Sequence, residues 1–185
     1  MDEDIMLEKS KQKAKEWVAN AIAFYKASDK EIALAEFTNP NGPFVQDEMY
    51  IFVLDSQGTM VAHGVNEKYA DMNFINLKDS AGKNFIWEIV NTANAKGSGW
   101  VDYQWYNPLT KVTKPKSVYF EKVDDLIICS GIYIERLLDV ITYNLQVSSI
   151  GGSADSIGVG LALDTAASGK IDTSLAKLKF INNSR

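Results

Sequence analysis

Three consecutive segments, Trp100 to Tyr106, Lys116 to Val123 and Leu126 to Tyr133, carry aromatic and β-branched residues at strand density, and the links between them leave little choice of geometry. Asn107 and Pro108 turn the first into the second, and Asp124 and Asp125 turn the second into the third. Links this short join antiparallel neighbours, because a parallel return needs a crossover of a dozen residues or more. Upstream, MYIFVLDSQGTMVAHG adds two strands, Met49 to Leu54 and Thr59 to Ala62, around a turn carrying Asp55, Ser56 and Gly58. The first of these is apolar enough to be central in the sheet.

Helices are set by apolar spacing. Ala14, Trp17, Val18, Ala21, Ile22 and Tyr25 recur at helical intervals, and the charged residues before them extend a long amphipathic helix toward Asp2. Ser28 and Glu31 stand at capping-box spacing, which predicts a second helix from Asp29 to Glu36, broken by Asn39, Pro40, Gly42 and Pro43. Glu67 to Met72 reads as a helical turn. Lys83 to Ala95 reads as a helix with Phe85, Ile86, Ile89, Val90 and Ala93 on one face, ended by Gly97 and Gly99. A long helix ahead of the sheet and shorter ones between its second and third strands predict an α+β fold. The topology is a PAS-like five-stranded antiparallel sheet with a long N-terminal helix and short flanking helices.

Beyond Tyr133 the pattern changes. Ile134, Leu137, Leu138, Ile141 and Leu145 predict another helix, Ser148 to Lys170 is dominated by small residues, and Ile171, Leu175 and Leu178 set a short terminal helix.

Composition removes several function classes. A formal charge of -5, with lysines interleaved among acids, argues against a general nucleic-acid binder, since backbone phosphates demand a basic surface. Cys129 is the only cysteine and sits in apolar LIICSGIY, so no internal disulfide forms and a small core residue is expected there. His63 is the only histidine, and no spaced His or Cys set offers a metal site; no cofactor is expected. The start, MDEDIMLEKSKQK, is too charged for a secretory signal, and no apolar run is long enough to span a bilayer. Neither a phosphate-cradling loop nor a nucleophile turn is present, so the chain is expected not to be an enzyme.

What remains is a concentration of rings and cations in GSGWVDYQWYNPLTKVTKPKSVYF. Trp100, Tyr103, Trp105, Tyr106 and Tyr119 lie on two strands, with Lys111, Lys114 and Lys116 on or beside the turn. Aromatic residues are favoured in strands and also wall small-ligand pockets, so core and ligand site both remain open on this pattern. Alternation places Val101, Tyr103 and Trp105 on one strand face and Trp100, Asp102 and Gln104 on the other.

The series YIFVLDSQGTMVAHG, LKDSAGKNF, GSGWVDYQWYNP, PKSVYF and LIICSGIY, in that order and spacing, resembles a single Cache domain, the extracytoplasmic sensor module of bacterial chemoreceptors and histidine kinases. The resemblance covers roughly Glu16 to Glu135. It implies a long N-terminal helix against a five-stranded sheet and a small-molecule pocket on the opposite face. It also implies a short organic acid as ligand, of the acetate, propionate, pyruvate or lactate class, and coupling to chemotaxis or signal transduction. Residues 1–135 are then the ligand-binding domain and 136–185 a helix, a Gly/Ala-rich linker and a short C-terminal helix. LDTAASGKIDTSLAKLKFINNSR is weakly similar to bacterial flagellins, which keeps open a structural or surface module of a filament protein, with flagellar or receptor partners. Amphipathic N-terminal helices of such modules often pair, so a homodimer is a further expectation.

A short carboxylate has little apolar area to bury, so its affinity must come from charge-assisted hydrogen bonds in a site that excludes water. By the resemblance Lys116 is the first choice for the carboxylate partner, with Lys111 and Lys114 nearer solvent. Tyr103 and Trp105 are expected in the pocket wall, Tyr119 and Tyr133 as hydroxyl donors, and Trp100 in the core. His63 is expected either as a donor to ligand, titrating near neutrality, or as a hydrogen-bonded turn residue. Strict alternation sets Lys116 and Tyr119 on opposite faces, so pairing them requires a bulge or twist near Pro115.

Overall fold

MYIFVLD is apolar at six consecutive positions, which suits a strand covered on both faces, and all six are buried. In the computed structural model, which describes residues 3–134, this strand is β2 (Met49–Asp55) of a six-stranded antiparallel sheet. The others are β1 (Val45–Gln46), β3 (Met60–His63), β4 (Ser98–Tyr106), β5 (Thr113–Val123) and β6 (Leu126–Tyr133). Their order is β1-β2-β6-β5-β4, with β3 also paired to β2. The five expected strands are all present. The sixth, β1, is two residues long, too short to leave a periodic signal.

Three helices accompany the sheet: α1 (Glu3–Ala27), α2 (Lys30–Thr38) and α3 (Phe85–Lys96), with a single 3-10 turn at Glu67–Tyr69. The expected capping box does not form. Asp29, not Ser28, is the N-cap residue of α2, which moves Glu31 one position too early to reach back, and the cap makes no side-chain hydrogen bond. Gly97 closes α3 in the left-handed region, φ 82°, a conformation that glycine adopts without steric cost.

Alternation divides the core between the two sheet faces. Ile51, Val53, Leu126 and Ile128 pack with Val18 and Ala21 of α1 and Ala33 and Phe37 of α2. Tyr50, Phe52, Leu54, Val101, Tyr103, Val118, Phe120, Ile127 and Cys129 pack with Phe85, Ile86, Ile89 and Val90 of α3. The result is the expected α+β arrangement of PAS type, with α1 and α2 on one face and α3 on the other. The segments expected beyond Ile134, including the helix from Leu137, the small-residue stretch and the flagellin-like tail, lie outside the described residues.

Register sets up the site. Tyr103 on β4 lies opposite Lys116 on β5, and Lys116 lies opposite Tyr133 on β6. Directly opposed residues point to one face, so these three form a row on the α3 side. The pairing of β4 with β5 and of β5 with β6 runs without a shift from Lys116 to Glu121, so the bulge near Pro115 is absent.

Candidate functional site

Lys116 is 1% exposed and its ammonium points inward. Nζ donates to the Tyr50 hydroxyl at 2.9 Å. It also sits over ring faces, 4.2 Å from the Tyr50 centroid, 5.1 Å from Tyr133 and 5.7 Å from Phe52. Among the described residues no carboxylate lies within ion-pair distance of it. Ring faces and one hydroxyl recover part of the cost of burying a cation, but an ammonium carries three donors and ordinarily finds an anion when it leaves water.

The lysine reaches this position across a whole strand, since it starts on β5, ends against β2, and β6 runs between them. Gly131 of β6 makes the crossing feasible. A Cβ there would stand 2.9 Å from Lys116 Cε, 2.8 Å from the Ser117 carbonyl and 2.6 Å from a Val118 methyl.

In front of Tyr50 lies a cavity of about 20 Å³ walled by Tyr50, Phe52, Met60, His63, Tyr69, Phe74, Leu77, Phe85, Ile86, Tyr103 and Trp105. That is room for about one water. Lys116 and Tyr133 are not on its surface; Tyr50 stands between Lys116 and the opening. Because Lys116 donates to Tyr50, and Tyr133 gives its own proton to Tyr106, the Tyr50 hydroxyl proton is left for the Tyr133 oxygen beside it.

Tyr103 is 5% exposed and stacked on Phe85 at 4.0 Å and 11°. Its hydroxyl has no hydrogen-bond partner among the described residues, and burial, with a smaller contribution from Tyr50, holds its pKa well above 10. Trp105 is half-buried and meets the Phe85 ring edge-on at 5.4 Å. Tyr133 sits at the side of the site and donates its hydroxyl to the Tyr106 carbonyl at 2.8 Å, so its proton is already committed.

His63 holds a turn, as one of its two expected roles has it, and stands in the cavity wall. Nδ1 accepts from the backbone N–H groups of Asn66 at 3.0 Å and Val65 at 3.3 Å, holding the turn after β3. With Nδ1 an acceptor, the neutral ring carries its proton on Nε2. The ring packs on Tyr50 at 4.9 Å and Tyr69 at 5.0 Å in the cavity wall. Burial first, and then the nearby Lys116 charge, lower its pKa to about 3. The expectation of titration near neutrality is therefore corrected: in this cavity His63 is neutral throughout the physiological range.

Tyr119 is not with them. It belongs to the face toward α1, where its ring meets Trp100 at 5.2 Å and Lys15 at 5.6 Å, and its hydroxyl donates to Glu121 at 2.6 Å. The continuous register of β5 leaves no way to bring it beside Lys116, so its expected place in the pocket is corrected. Trp100 packs on that same face, as expected for core. Lys111 is exposed in the β4–β5 turn.

Sequence reasoning missed Tyr50, Phe52, Tyr69, Phe74 and Phe85 in the wall. Alternation in MYIFVLD already set Tyr50 and Phe52 on one face, and that was the available signal. It read a helical turn at Glu67 to Met72, found at Glu67–Tyr69, but missed that the connection from Gly64 to Asn84 straps the cavity between the two sheet edges. At the β3 edge Asp71 N–H donates to Met60 O, Met60 N–H to Met72 O and Phe74 N–H to Gly58 O. At the β4 edge Asp79 accepts from Gln104 N–H at 2.8 Å, and Lys83 Nζ donates to Asp102 O at 2.6 Å. Among the described residues no group of three or more metal-ligating side chains occurs, and no helix is long and apolar enough to cross a membrane.

Residues 3–143 match the family described as single Cache domain 2. The chain belongs to that family. It is similar to the crystal structure of a methyl-accepting chemotaxis protein from Vibrio parahaemolyticus, with 25% identity over 72% of this chain and 95% of that one and a TM-score of 0.64. It is also similar to a Cache chemosensory domain described with the structural basis of its carboxylic acid recognition, at 25% identity, 73% and 99% coverage and a TM-score of 0.61. The periplasmic sensor domain of a chemotaxis protein shares the fold at 24% identity, 70% and 98% coverage and a TM-score of 0.56. As a Cache domain the chain is a ligand-binding sensor module and not an enzyme.

Proposed function

We propose that this Cache domain is an extracytoplasmic sensor for a short monocarboxylate, of the acetate, propionate, pyruvate or lactate class, whose occupancy is passed to chemotaxis or another signalling output. The observation that carries the reading is the Lys116 ammonium, buried at 1% exposure with no carboxylate partner among the described residues. A ligand carboxylate entering the cavity would be drawn by that charge, reach the ammonium only where Tyr50 gives way to it, and find the Nε2–H of His63 and the Tyr103 hydroxyl in the same wall. The carboxylic acid recognition described for one similar Cache domain supports the same chemistry.

The wall also argues for class. One cation lies behind it, hydrogen-bonded to Tyr50, which suits one carboxylate, and the wall holds no Asp or Glu that could receive an α-ammonium. Rings and aliphatic side chains supply the rest, so the tail of the acid is apolar or weakly polar. The cavity of about 20 Å³ must grow to admit even two carbons. Tyr69, Phe74 and Leu77 belong to the strap and are the wall residues free to move with it.

A thermal-shift panel tests the reading. Acetate, propionate, pyruvate or lactate should raise the melting temperature in a concentration-dependent way, since a ligand held 100-fold above its dissociation constant adds about 2.7 kcal/mol. Succinate, glycine and alanine should not. A flat response to all four monocarboxylates, or a larger shift with an amino acid, removes the assignment.

A further inference from the structure

We propose that Gly131 is a positioning residue for the Lys116 cation: the missing side chain opens the lane by which the lysine stem crosses β6 and reaches Tyr50. The inference deepens the monocarboxylate reading and rests on it for its binding arm alone. Its geometry is independent of any ligand.

Gly131 lies inside a strand whose other residues are all buried, and its φ is not in the left-handed region, so no turn or backbone conformation calls for glycine there. Glycine inside a strand weakens it and commonly marks a close approach by another group. The approaching groups are named by the space a Cβ would take. It would stand 2.9 Å from Lys116 Cε, 2.6 Å from a Val118 methyl and 2.8 Å from the Ser117 carbonyl, each closer than real Cβ contacts allow. Val118 is the direct β5 partner of Gly131 and Lys116 is two residues before it, so the lysine stem runs diagonally over the glycine. With a methyl in the lane, the stem has to leave it. The only course that keeps the ammonium away from the core is along β5 toward the β4–β5 turn and water, away from the Tyr50 hydroxyl.

Gly131→Ala in the full chain tests this with two readouts. The first is chemical: reductive methylation of lysines followed by peptide mass spectrometry. Lys116 should be protected in the wild-type protein and become methylated, at least ~10-fold faster, in a Gly131→Ala protein that still melts cooperatively. The second is affinity for propionate, which should fall at least ~10-fold. A purely structural role is separated by Gly131→Ala combined with Val118→Ala, which relieves the methyl clash and leaves the lysine and Ser117 carbonyl clashes. That double variant should be no less stable than Gly131→Ala while Lys116 stays reactive, and Lys116 reactivity in wild-type protein and in Val118→Ala alone, where it should stay protected, keeps the test available if the glycine variants fail to fold. Recovery of both protection and affinity in the double variant overturns the proposal, as does a folded Gly131→Ala with Lys116 still protected. If wild-type protein binds no monocarboxylate, the functional reading fails, while the methylation result still decides the role of Gly131.

Discussion

Lys116 costs the ligand-free fold free energy. An ammonium taken from water and matched only to ring faces and one hydroxyl is less stable than an apolar side chain of similar length in the same lane. Lys116→Met is therefore expected to raise the stability of the ligand-free domain by about 1 kcal/mol or more, read as a higher denaturant midpoint at unchanged m-value. A lower midpoint would mean that the cation contributes more to the empty fold than its contacts imply. His63 makes a second residue-level prediction. Its folded pKa of about 3 lies below its ordinary value of 6.5, so between those values the unfolded chain binds the extra proton. Stability is then full above pH 6.5 and falls as pH drops toward 3, by at most about 1.4 kcal/mol per unit from this residue. Urea unfolding at pH 5, 6, 7 and 8 checks it: His63→Gln should flatten the slope between 5 and 6.5, and an equal slope in that variant would contradict it. At this scale the sequence was partly legible. Lys116, Tyr103 and Trp105 stood out as a cation and rings in one hairpin, whereas Tyr50 was hidden because a tyrosine within an apolar strand looks the same whether its hydroxyl meets a lysine or water. Tyr119 was misplaced because the resemblance outweighed plain alternation, which had the face right.

Elements were legible where periodicity was long. β6 matches its expected bounds, and α1, β2, β4 and β5 differ from theirs only at the ends. The connection between β3 and α3 was legible only in its helical turn, expected at Glu67 to Met72 and found at Glu67–Tyr69, because single backbone bonds to β3 and side-chain bonds to β4 hold the rest and leave no period. Asp79 is its key: Oδ1 accepts from Ala81 and Lys83 N–H, and Oδ2 from Gln104 N–H on the open edge of β4. Burial opposes ionisation of this carboxyl, but the backbone N–H groups of Gln104, Lys83 and Ala81 outweigh it and hold its pKa below the usual value. Its contribution is thus present above the ordinary carboxyl range and lost as pH falls through the lowered value. The β3 end of the strap has backbone hydrogen bonds and the β4 end has side-chain ones, so opening is expected at β4. Asp79→Ala should lower hydrogen-exchange protection of the Gln104 amide by ~10-fold or more while the β5 and β6 amides keep theirs. Equal loss in β6 would show that the strap is no separate unit.

For the molecule as a whole, the consequence is a cavity too small for the proposed ligand without movement. A cavity that holds about one water cannot take an acid without movement of its wall, and a ligand shifts such an equilibrium only by binding one state better than the other. Trp105 lies in that wall and supplies a reporter. Mixing with propionate should change its fluorescence at a rate that levels off with concentration, as expected when opening precedes binding. A rate rising linearly toward the diffusion limit would argue for a preformed pocket, and Trp105→Phe should abolish the signal. The most direct test of the central claim is calorimetric titration of propionate into the wild-type domain and into Lys116→Met. The account predicts saturable binding to the wild type and affinity weakened at least ~30-fold in the variant, the cost of leaving a buried carboxylate without its cation. Equal affinity in the two proteins would contradict it.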